Sequence, residues 1–218
     1  MIYEQGGDVA ILHFDDGKAN VVGHDLIASM NEGLDRAEKD AKAVVIVGRA
    51  GRFSAGFDLE EFKKGPEAGT ALVSSGAKML LRMFTHPQPL VGACSGHAIA
   101  AGAFMLLSCD TRIGTAGDFK IGLNETAIGM TLPVFGLELA TARLSRRHLT
   151  AATIQARLFD PEAAVDAGFL DQVVDAENLL ERSVEVATQL AQHPQKAYAA
   201  NKLAVREASI TRIQESLE

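Results

Sequence analysis

Tryptophan is absent from this 218-residue chain, and only two cysteines and six prolines occur. Cys94 and Cys109 both lie in apolar segments. They imply no disulfide framework and read as small buried hydrophobes of a reducing compartment. Six histidines accompany them, but neither an HExxH pattern nor a paired-cysteine spacing is present, so no metal site is expected. No apolar run approaches membrane-spanning length, and Met1 to Asp8 has neither a basic region nor an apolar stretch of the secretory kind. The expectation is a cytoplasmic protein with no membrane association. Positive charge is also in deficit: the formal net charge is -7 and the pI about 5.4. That balance excludes a general nucleic-acid binder. An anionic ligand would need a local patch, for which Lys63-Lys64 and Arg146-Arg147 are candidates, although such pairs also read as ordinary solvated surface.

The length provides for one sizeable domain, or one core with a helical appendage. Val9 to Phe14, Ala43 to Val47, Leu90 to Ala93 and Thr111 to Gly114 read as strands, as does Phe119 to Leu123 more weakly. Between the first two, Asp25 to Glu38 places Leu26, Met30, Leu34 and Ala37 on one stripe of a helix. Pro87-Gln88-Pro89 leads into the third strand, which feeds a helix starting near Ala100. This alternation predicts an α/β fold of parallel strands crossed by helices. From Pro133 the character changes, with helices expected over Phe135 to Leu144, Ala151 to Leu158, Pro161 to Ala167, Leu179 to Gln192 and Ala197 to Leu217.

Three stretches carry candidate chemistry. The loop through Gly48, Gly51 and Gly56 follows an apolar strand and offers the Phe57 N–H just past a glycine. Its spacing fits neither a dinucleotide fingerprint nor a P-loop, and a glycine-rich turn is also plain punctuation. The run Gly96 to Gly102 is nearly free of side chains and opens the apolar helix Ala103 to Leu107. A helix N-terminus carries unsatisfied N–H groups, so Ala101 is a second candidate donor, with close helix packing as the alternative. Glu125 sits among Ile121, Ala127, Ile128 and Met130, which would desolvate its carboxylate and raise its pKa to suit a group that takes and returns a proton. A first-turn capping glutamate is the bland alternative. Ser95 beside His97 lacks a nucleophile elbow, so His97 is expected to pack or bond locally.

Taken together, these stretches resemble the crotonase, or enoyl-CoA hydratase/isomerase, superfamily. The likeness runs through Phe53-Ser54-Ala55-Gly56-Phe57-Asp58-Leu59, Pro87 to Ala93, Gly96 to Gly102, Cys109-Asp110 and Phe159 to Leu170. It implies a ββα spiral core over 1–132 holding an acyl-CoA site, then a helical trimerisation region over 133–218, assembling as a homotrimer or hexamer. It implies no metal and no cofactor beyond the coenzyme A of the substrate. The backbone N–H groups of Phe57 and Ala101 would form an oxyanion hole for the thioester oxygen. Ala55, Gly56, Phe57, Asp58, Leu59, Ala101 and Phe104 would line the substrate path. The acyl pocket would be walled by the helices around Ala71 to Met83 and Met130 to Leu137.

Two departures sharpen the expectation. Phe104 stands where hydratases carry their first catalytic glutamate, so one carboxylate is gone and water would be poorly held. Ile121-Gly122-Leu123-Asn124-Glu125-Thr126 is similar to the motif of Δ3,Δ2-enoyl-CoA isomerases, in which one base suffices, and implies Glu125 as that base. Hydration, another crotonase reaction and silent acyl-CoA binding are the alternatives. Ala100-Ala101 replaces glycines of many members. If the backbone there needs positive φ, alanine is strained and the donor displaced; if it is helical, alanine costs nothing.

Overall fold

The computed structural model describes residues 1–218. The strands are β1 (Ile2–Gly6), β2 (Val9–His13), β3 (Val21–Val22), β4 (Ala43–Val47), β5 (Gly51–Ser54), β6 (Gly56–Phe57), β7 (Leu90–Cys94), β8 (Gly96–Ile99), β9 (Thr111–Thr115), β10 (Ile121–Gly122) and β11 (Gln172–Val174). The helices are α1 (His24–Asp40), α2 (Leu59–Lys63), α3 (Pro66–Thr85), α4 (Ala101–Ser108), α5 (Val134–Arg143), α6 (Arg146–Thr153), α7 (Pro161–Ala167), α8 (Leu179–Leu190) and α9 (Gln195–Glu215).

The main sheet has the order β1-β2-β4-β7-β9-β11; the β1–β2 hairpin is antiparallel and every other pairing parallel. Its central strands are apolar on both faces, because successive side chains alternate sides and both sides are covered. In β4, Val44 and Ile46 join the large core that includes Met30, Leu34, Met79 and Leu106, whereas Ala43, Val45 and Val47 join a smaller cluster under α8 with Leu179 and Ala187. α1 carries Ile27, Met30, Gly33, Leu34 and Ala37 inward. Leu26, expected in that stripe, is only partly buried against it.

Several expectations change in detail. The stretches read as small-residue turns include short strands: β5 and β8 pair with each other in a second sheet of order β10-β8-β5, and β6 pairs with β3. These segments are too glycine-rich to show an apolar period, so only pairing reveals them. The weak strand Phe119 to Leu123 shrinks to β10. The helix expected over Ala151 to Leu158 is instead α6, ending at Thr153; Ala156 adopts a φ of 51°, which no α-helix continues through. The chain then runs to Phe159, which exchanges 2.9 Å backbone hydrogen bonds with Ile121.

The region after 133 is therefore not helical throughout. β11 extends the main sheet beside β9, and Phe159 closes the edge of the small one.

Candidate active site

The small sheet explains how three distant segments meet. β5, β8 and β10 run parallel, so their C-terminal ends emerge at one end of the sheet. Phe57 lies three residues past β5, Ala101 two past β8 and Glu125 three past β10. Parallel sheets offer ligand crevices at the carboxyl ends of their strands. Glycine permits the close approach: a Cβ on Gly96 would meet the Gly51 carbonyl carbon at 2.0 Å, and one on Gly102 the Ser54 oxygen at 2.5 Å. The segments touch directly. A Cβ built on Gly56 would lie 3.5 Å from Ala101 N, and Ala100 N–H donates to Gly122 O at 3.0 Å.

Both backbone donors stay free of the ladder. Asp58 N–H donates to Val22 O at 3.2 Å, which turns the Phe57 N–H to the opposite side of the β3–β6 ribbon. Ala101 is the first residue of α4, whose leading N–H groups have no intrahelical acceptor. The alternatives posed for Ala100-Ala101 divide between the two residues. Ala100 holds φ 52° and ψ -119°, a conformation that favours glycine, while Ala101 is helical. Strain is thus confined to the residue before the donor.

Glu125 is 6 % exposed, and its Oε2 has no hydrogen-bond partner. Burial raises its pKa above the ordinary 4.5, partly opposed by the backbone N–H groups of Glu125 and Asn124. The shelter differs from the expected one, because Ile128 and Met130 are 55 % and 43 % exposed. Ile121 and Leu123, just before it, are instead in the core, and Thr126 Oγ1 ties the segment to Thr153 O at 3.2 Å. Asn124 Oδ1 beside it is also buried without a partner, a feature no sequence pattern marked.

The other expected lining residues scatter. Ala55 is half-buried and Gly56 buried, Leu59 is 62 % exposed, and Asp58 caps α2 by accepting from Glu60 N–H at 3.0 Å. Phe104 is 1 % exposed, with its ring edge-on to Phe135 at 5.6 Å and closely packed on Gly136. His97 packs as expected, edge-on to Phe119 at 5.3 Å, but its hydrogen bond is not local: Nδ1 accepts from Lys120 N–H, 23 residues on, at 3.0 Å. Cys94 and Cys109 are buried, and burial pushes both thiols up to about 12. Lys63 and Lys64 pair with Glu60 and Glu61, so they form no free anion site.

A cavity of about 680 Å³ opens between α3 and the start of α5, lined by Val73, Ser74, Ala77, Val134 and Phe135. These lie in the two segments expected to wall the pocket. Leu217, which the sequence reading missed, adds a further wall. None of Phe57, Ala101 and Glu125 lines it; the connection is the Phe57 ring, which packs on Gly76 of α3 next to Ala77.

A mixed main sheet of this order with a second, small parallel sheet beside it is the crotonase fold. Residues 4–218 match the enoyl-CoA hydratase/isomerase family, and the chain belongs to it. Among relatives, human mitochondrial enoyl-CoA delta isomerase 1 is 27 % identical over 96 % of this chain and 71 % of its own length. A probable enoyl-CoA hydratase of Bacillus subtilis is 32 % identical over 67 % of this chain and 57 % of its own. Among solved structures, an enoyl-CoA hydratase/isomerase family protein of Pseudomonas syringae superposes with a TM-score of 0.96 at 43 % identity, covering 99 % of this chain and 94 % of that one. Human mitochondrial delta3-delta2-enoyl-CoA isomerase gives 0.93 at 26 % identity, covering 99 % and 90 %.

Proposed function

We propose that this chain is an acyl-CoA enzyme that isomerises 3-enoyl-CoA to 2-enoyl-CoA in fatty-acid β-oxidation, and that it acts in the cytoplasm. The observation that carries the reading is one buried carboxylate, Glu125, on the same end of a small parallel sheet as two unpaired backbone N–H donors. The thioester oxygen sits between Phe57 N–H and Ala101 N–H. Glu125 removes a proton from C2, the negative charge spreads over a dienolate held by both donors, and the same carboxyl returns the proton to C4. No net acid or base is consumed, so one base is enough. Each donor is worth roughly 3–4 kcal/mol to the transition state and the positioned base about 10²–10⁴-fold.

Phe104 supports isomerisation over hydration. Helix α4 contains no acidic residue, and its buried ring leaves nothing there to hold an attacking water. The 680 Å³ cavity supports an acyl tail packed against Val73 and Phe135. A second reading, hydration, is favoured by the hydratase names among the relatives.

The deciding assay gives the purified protein trans-3-hexenoyl-CoA and, separately, crotonyl-CoA, each beside Glu125→Ala. Isomerisation without hydration, lost in the variant with substrate binding kept, is the expected result. Robust hydration of crotonyl-CoA would overturn the one-base mechanism. Acyl-CoA binding without turnover, unaffected by Glu125→Ala, would mark a silent binder.

A further inference from the structure

Asn20 is 2 % exposed, lies in the loop between β2 and β3, and holds a φ of 51°. Asparagine tolerates that left-handed conformation better than most residues. Its amide is fully engaged. Nδ2 donates toward Phe14 O at 3.1 Å, Arg52 O at 3.2 Å and Phe53 O at 3.3 Å, while Oδ1 accepts from Asp16 N–H at 2.9 Å. Asp16 fixes the loop in turn: its Oδ1 accepts from Lys18 N–H at 2.7 Å and Asn20 N–H at 2.8 Å, and its Oδ2 from Val21 N–H at 3.1 Å.

The loop so fixed is the frame of the first backbone donor. Asn20 grips the carbonyls of Arg52 and Phe53 in β5. Ala19 O accepts from Ala55 N–H at 3.1 Å, Val21 pairs with Gly56, and Val22 O accepts from Asp58 N–H. The loop thus holds residues 52, 53, 55, 56 and 58, while the Phe57 N–H faces away from the β3–β6 ribbon. β8 holds β5 as far as Ser54, but from Ala55 to Asp58 the strand-to-strand partners of the segment are Ala19, Val21 and Val22, so the position of that N–H depends on the loop.

We propose that Asn20 is a positioning residue for the Phe57 N–H: its amide locks the loop of residues 16–22 onto residues 52–58 and thereby fixes where that donor points. The role rests on the reading of Phe57 as an oxyanion donor. Glycine at position 20 would keep the left-handed backbone but lose the amide, and aspartate would keep the shape but turn an acceptor toward three carbonyls.

The test compares wild type, Asn20→Gly and Asn20→Asp in three measurements. One is the ultraviolet enolate band of bound acetoacetyl-CoA, which reports polarisation of the thioester oxygen. The others are hydrogen exchange of peptides covering 53–59 and the split of kcat from KM. The expected result is exchange at 53–59 at least tenfold faster with β4 unchanged, a weakened enolate band and kcat down at least tenfold, with KM within about threefold, since a misaimed donor forfeits part of the 10²–10³-fold a lost one costs. Should Asn20→Gly fail to fold, Asn20→Asp carries the same comparison. A folded variant with wild-type exchange at 53–59 and a wild-type enolate band overturns the proposal, as does a lowered melting temperature with the band per folded molecule unchanged. A wild type that binds acetoacetyl-CoA without any enolate band overturns the donor reading itself, and its own spectrum separates that failure from failure of Asn20 alone.

Discussion

At Glu125, stability and the proposed function oppose each other. Burial favours the neutral carboxyl, so its folded pKa stands above the unfolded value of about 4.5. The native state then binds more protons than the unfolded chain in the window above that value, and stability falls as pH rises through it. Under the proposed mechanism Glu125→Gln should abolish turnover of 3-enoyl-CoA while raising the melting temperature at pH 7, checked by calorimetry beside the activity assay. With Glu125 as the proposed base, kcat/KM of the wild type should rise with pH along a single acid limb whose midpoint lies above 4.5, because the free enzyme's base must be ionised. Ala100 stores strain of a different kind. Its φ of 52° with ψ of -119° costs an alanine about 1–3 kcal/mol, of which the greater backbone freedom of unfolded glycine would offset part. Ala100→Gly should therefore stabilise the protein by about 1 kcal/mol, read as a rise of roughly 2–4 °C in Tm. A fall instead would mean that the contact of the Ala100 methyl with Gly56 outweighs the strain.

Among the elements, α9 is held by charge more than by an apolar face. Its buried residues are Lys202, Arg206 and Ile213. Lys202 Nζ lies 2.6 Å from Asp110 Oδ2 and donates to His86 O and Gln88 O, while Arg206 reaches Asp110 Oδ1 at 2.8 Å and Phe84 O at 2.6 Å. Asp110 also accepts from Leu90 N–H at 2.9 Å, at the first residue of β7. The Asp110 carboxylate therefore ties α9 to the start of β7, while Arg206 itself reaches the end of α3 at Phe84 O. Asp110→Ala leaves two buried cations without their anion and should cost about 3–5 kcal/mol, visible in urea unfolding as a lowered midpoint. Asp110→Asn keeps the shape and one acceptor and should cost less. A surface-like effect below about 1 kcal/mol for the alanine variant would show that α9 is held by packing alone.

At the level of the whole molecule, five of the eleven exposed large apolar residues fall in one segment of the chain. Ile128, Met130, Val134, Leu137 and Ile154 are 43–66 % exposed and lie between residues 128 and 154, in the chain segment that follows Glu125. We propose that this segment is covered in the trimer or hexamer that the family resemblance implies. The chain should run in light scattering at three or six times its 23.1 kDa mass, and Ile154→Asp should shift it toward the monomer. A monomeric wild type would overturn this. The molecule has no helix long and apolar enough to cross a membrane, in line with the absence of long apolar runs in the sequence.

The sequence by itself determined the family and the central elements, because these rest on local signals. β4 is a run of aliphatic residues that only a doubly covered strand accommodates, α1 has a periodic stripe, and the segments around Phe57, Ala101 and Glu125 carry recognisable small-residue and acidic patterns. What the tertiary structure decided is everything that depends on pairing across distance. Short glycine-rich strands such as β5, β8 and β10 have no period of their own, so their alignment at one sheet end, and with it the meeting of the two donors and the carboxylate, exists only once they are hydrogen-bonded to each other. The end of α6 at Thr153, the strain at Ala100 and the grip of Asn20 on Arg52 and Phe53 were hidden for the same reason: each is a backbone geometry imposed by a partner far away in the chain, and residue type alone does not encode a distant partner.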